Sequence, residues 1–70
     1  MVTVFKTNVQ CPAKAVFIVN GLLSEYPAFR INFDLEDCDR ILRVEGNHIE
    51  INGIIASLQN HGYLCEELPY

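Results

Sequence analysis

The chain has 70 residues, half of them hydrophobic, with nine acidic and five basic side chains and a formal net charge of −4. This composition excludes a disordered chain, and the length sets a single domain, residues 1–70, that buries only about 60% of its unfolded surface. The basic residues Lys6, Lys14, Arg30, Arg40 and Arg43 are scattered along the chain, so no cluster exists to hold phosphates and nucleic acid is not expected as a partner.

Val2–Asn8 alternates and is β-branched, which predicts a first strand. Thr3, Phe5, Thr7 and Val9 share one side of it, and Val2, Val4, Lys6 and Asn8 the other. A short loop holding Cys11 follows, and Pro12 suits the first position of a helix, where a missing N–H removes nothing. The first helix reads as Ala13–Glu25. Ile18 and Leu22 follow its apolar spacing, and Gly21 is expected to let it approach a sheet closely. It must stop before Pro27, because the residue ahead of a proline resists the helical region.

Phe29–Glu36 carries the clearest pattern. Phe29, Ile31, Phe33 and Leu35 alternate strictly with Arg30, Asn32, Asp34 and Glu36, giving a strand with one dry and one wet face. Glu36–Asp39 is a turn by composition, and Arg40–Glu45 is the returning strand of a hairpin. Ile51, Ile54, Ile55 and Leu58 form a helical stripe within His48–Asn60, weakened by Gly53 and capped by Gly62. Tyr63–Leu68 is a short last strand, closed by Pro69.

The element order is therefore βαββαβ, an α+β chain. Right-handed crossovers within one sheet favour the ferredoxin-like two-layer sandwich, with an antiparallel sheet in the order 4-1-3-2 and both helices on one face. Strand directions then bring the loop of Cys11, the turn of Cys38 and the connection after His61 to one rim.

In this order and spacing the chain resembles the heavy-metal-associated domains, the family of copper chaperones and of the N-terminal modules of copper ATPases. Cys11 falls where the first cysteine of the family's Met-x-Cys-x-x-Cys loop falls. Ile18 and Leu22, then Tyr26-Pro27, then Phe29, Ile31 and Phe33 resemble its first helix and second strand. Val44-Glu45-Gly46, Ile54, Leu58 and Gly62-Tyr63 resemble its third strand and second helix. The resemblance implies a domain that holds Cu or Zn through paired thiolates. Two positions depart from it. Val9 stands where the family has Met, and Lys14 where it has the second Cys. Soft metals select sulfur ligands, whereas a protonated lysine has no lone pair to give.

Two expectations follow. The first is a metal-free interaction module, with no cofactor, that meets a protein partner or a second copy through the open sheet face, using Val2, Val4, Leu64 and Leu68 beside Lys6 and Glu66. The second is a divergent soft-metal binder for Cu or Zn. Its ligands are Cys11 with His61, with Cys38, or with the Cys11 of a second copy. Cys11 at a helix N-terminus with Lys14 one turn on is also expected to ionise easily, which would suit a redox-sensing thiol. Cys38 is a ligand only if its acidic turn folds over Cys11, and Cys65 reads as a packed core thiol. His61 is expected to interact with the carbonyl end of the second helix.

Three cysteines, an odd number, do not make a closed disulfide framework. No apolar run approaches the roughly 20 residues needed to span a bilayer. The first residues lack the basic, apolar, small order of a signal peptide, so no membrane and a cytoplasmic location are expected. No nucleophile with a base and an orienting group, no glycine-rich phosphate loop and no carboxylate pair in a cleft is evident, so no enzyme is expected.

Overall fold

The computed structural model describes residues 1–69. Its elements are β1 (Val2–Thr7), α1 (Pro12–Glu25), β2 (Arg30–Asp34), β3 (Ile41–Glu45), α2 (Ile51–Asn60) and β4 (Cys65–Leu68). The strands form one antiparallel sheet in the order β2-β3-β1-β4, which is β4-β1-β3-β2 counted from the opposite edge.

Residues opposite one another in an antiparallel ladder share a face. Phe5 faces Leu42, Thr3 faces Val44, Ile31 faces Val44 and Thr7 faces Cys65. This face carries the core. Phe5, Leu42, Val44 and Cys65 cluster with Ala15, Ile18 and Leu22 of α1, with Ile54 and Leu58 of α2, and with Val9. Both helices therefore cover the same side of the sheet, and the result is a two-layer α+β domain. The opposite side carries Val4, Lys6, Arg43, Asn32 and Glu66.

Pro12 opens α1, and Cys11 is its N-cap residue in an extended conformation, with no side-chain capping bond. At the other end the Tyr26 N–H donates to Leu22 O at 2.8 Å just before Pro27. Helix α2 ends in a Schellman arrangement. Gly62 takes φ +85°, its N–H donates to Gln59 O, and the Tyr63 N–H donates to Leu58 O.

Several ends are shorter than the sequence pattern implies. Phe29 leaves the β2 ladder and stacks on Tyr26, with ring centroids 5.1 Å apart and planes 9° from parallel. Leu35 and Glu36 enter the turn. Helix α2 starts at Ile51, three residues after His48, whose φ of 41° is left-handed. The expectation for Gly21 is overturned. It is exposed, and a Cβ there would meet nothing within 4 Å. The close approaches lie elsewhere. A Cβ on Gly46 would run into the Phe29 ring, and one on Gly53 would lie 2.7 Å from Tyr26 Oη. Gly53 thus makes room for the Tyr26 side chain, which joins the end of α1 to the start of α2, and Gly46 for the Phe29 ring stacked on it.

Candidate functional site at the Cys11 rim

The three connections meet at one rim through specific hydrogen bonds. Thr7 is buried at the end of β1, and its N–H donates to Asp39 O at 3.0 Å. Its hydroxyl donates to Arg40 O and accepts the Val9 N–H. Asn8 Oδ1 accepts the Leu64 N–H at 2.8 Å, which ties in the connection from α2 to β4. Across the β2–β3 turn, the Arg40 guanidinium donates to Leu35 O, and Arg40 itself sits at φ 47°. A positive φ at a non-glycine residue is uncommon, and here these backbone and side-chain bonds hold it.

Cys11 is exposed at this rim. Its thiol lies below the ordinary range because the backbone N–H groups of Lys14 and then Ala13 favour the thiolate. Slight desolvation opposes them, and the Lys14 charge adds the smallest lowering contribution. The direction agrees with the reading from sequence, but the helix-terminal amides outweigh the ammonium. Val9 is fully buried in the core. Lys14 is exposed one turn into α1.

His61 is also exposed, and its Nδ1 lies 2.7 Å from Ser57 O. A carbonyl only accepts, so the Nδ1 proton donates and His61 closes the end of its own helix. Its ring meets Phe17 edge-on, with centroids 5.6 Å apart. Lys14, Phe17, His61 and Tyr63 line one shallow hollow of about 370 Å³. The exposed Phe17, off the Ile18–Leu22 stripe, was the sequence signal for this hollow.

Cys38 gathers with its own neighbours. Asp37, Cys38 and Asp39 each bring a ligand atom within 4.8 Å of one another, the only such group of three among the described residues. Its carboxylates are engaged, since Asp37 Oδ1 accepts the Asp39 N–H at 2.9 Å and Asp39 Oδ1 lies 3.7 Å from Lys6 Nζ. Cys11 and His61 belong to no such group. Cys65 is buried, and burial pushes its thiol up to about 12.

Of the four side chains expected on the open sheet face, Val2 and Leu64 are exposed, Leu68 is half-buried and Val4 is buried. Val4 is only 7% exposed, between Arg43 and Leu68 in the ladder, and Leu64 lies ahead of β4. The large exposed apolar side chains of the helical layer are Val16 and Phe17. No helix among the described residues is long and apolar enough to cross a membrane. Comparison with protein-family models, curated proteins and solved structures found no match to this chain.

Proposed function

We propose that this chain is a small, non-enzymatic interaction module on a ferredoxin-like sandwich. It is similar to heavy-metal-associated domains but has lost the second sulfur ligand and works without metal. The observation that carries this reading is the position of Lys14. It follows Cys11 by one turn and lines the same hollow as His61. A cation held between Cys11 and His61 would meet the ammonium, and monovalent or divalent soft metals need two good donors to compete with free thiols.

Titration of the reduced protein with Cu(I) against a competing chelator tests it. The native chain should retain no metal, and Lys14→Cys should gain stoichiometric binding by restoring the thiol pair. Tight capture by the native monomer would overturn the reading.

A second reading has one observation in its favour, the eased ionisation of Cys11. In it Cys11 binds Cu or Zn with His61, with Cys38 or with the Cys11 of another copy. Metal retention that is unchanged in Cys11→Ser removes this alternative.

A further inference from the structure

The sheet has two open edges, β2 and β4, and their charges differ in kind. Strand β4 reads Cys-Glu-Glu-Leu, so pairing it with its own copy sets glutamates against glutamates. Strand β2 reads Arg-Ile-Asn-Phe-Asp, with Arg30 at one end and Asp34 at the other. Turned antiparallel on itself about Asn32, it places Arg30 opposite Asp34 twice, Ile31 opposite Phe33 twice, and Asn32 opposite Asn32. Neither Arg30 nor Asp34 has an ion-pair partner within 4 Å among the described residues.

The apolar surface agrees with the charges. Ile31, Phe33 and Leu35 are only half-buried, although they face the helical layer. With Val16 and Val19 of α1 they line an open, mostly apolar groove of about 430 Å³ along this edge. Val16 is 59% exposed. A two-fold axis perpendicular to the sheet keeps both helical layers on one side. It therefore sets the two grooves facing each other.

We propose that two copies of this chain associate through β2, antiparallel about Asn32, joining their sheets into one. The interface is isologous: Arg30 meets the partner's Asp34, and Asp34 meets the partner's Arg30. Backbone pairing closes an edge that is otherwise a template for uncontrolled addition of strands. The apolar alternation excludes a shift by one residue, which would turn apolar side chains to the wet face, and the two Arg30–Asp34 pairs favour the register about Asn32 among those that keep the faces. The proposal concerns the β2 edge and is independent of whether Cys11 holds a metal.

Sedimentation equilibrium from micromolar to millimolar protein tests it. The native chain should show a reversible dimer. Asp34→Arg sets arginine against arginine and should weaken association by about tenfold or more. Mixing Asp34→Arg with Arg30→Asp should restore a one-to-one heterodimer, since each unlike pair is complementary again. Arg30→Asp also faces Glu45, so a second measurement guards against its misfolding. In a chain with Cys11→Ser and Cys38→Ser, Asn32→Cys should cross-link to its own copy on oxidation, and Arg30→Cys should not. A monomer at millimolar concentration, a dimer indifferent to Asp34→Arg, or an absence of the Asn32→Cys cross-link would each overturn the proposal.

Discussion

Burial pushes the Cys65 thiol up to about 12 from its ordinary 9.0. The unfolded chain releases that proton near pH 9, while the folded chain keeps it, so between the two values the unfolded form binds fewer protons. Stability from this group is therefore full below about pH 9 and is lost as pH rises towards 12. Replacing Cys65 with alanine removes the proton. The difference in unfolding free energy between the native chain and Cys65→Ala should then shrink steadily across that window. A flat difference, measured by denaturant titration at each pH, would contradict the burial effect. Alternation marked Cys65 as a core position in the sequence. For Cys11 the sequence showed the helix start, but the ranking of amides over ammonium depended on where the Ala13 and Lys14 N–H groups lie.

Two glycines in helical contexts should respond oppositely to alanine. Gly62 has φ +85° and open space around it, so Gly62→Ala meets no clash and suffers only the left-handed penalty, about 1–2 kcal/mol. Gly21 lies inside α1 with nothing near its missing Cβ, so Gly21→Ala should stabilise the domain by about 0.5–1 kcal/mol. Thermal or urea unfolding separates the two. Destabilisation by Gly21→Ala would mean that α1 packs more closely there than the structure shows. The Gly62 cap was legible because a helix stripe ends just before it. The roles of Gly46 and Gly53 were not, because the rings they admit come from a loop remote in sequence. A local contact shortened β2, since Phe29 continues its alternation yet packs on Tyr26 three residues earlier.

A chain this small has total stability on the order of 3–5 kcal/mol. Phe5 is fully buried at the centre of the sheet, and truncating such a side chain removes about 3–5 kcal/mol. Phe5→Ala should thus be largely unfolded at room temperature by circular dichroism, whereas Val16→Ser, at an exposed site, should stay folded. A folded Phe5→Ala would require a reserve of stability beyond this core. The element order and the convergence of three loops were readable from hydrophobic period and strand direction. Val4 alone of the open-face set is buried, because strand alternation says which side it takes, not how closely Arg43 and Leu68 flank it.

The sequence by itself determined six elements, the core stripes Ile18–Leu22 and Ile54–Leu58, and a lysine one helical turn after Cys11. These are local properties of period, propensity and residue chemistry. Only the tertiary structure decided that Thr7 and Asn8 bind three loops into one rim, and that Lys14 shares a hollow with His61. It also decided that β2 is an edge with a half-covered apolar flank. Each of these joins residues distant in the chain, and their proximity depends on how the helices and strands pack.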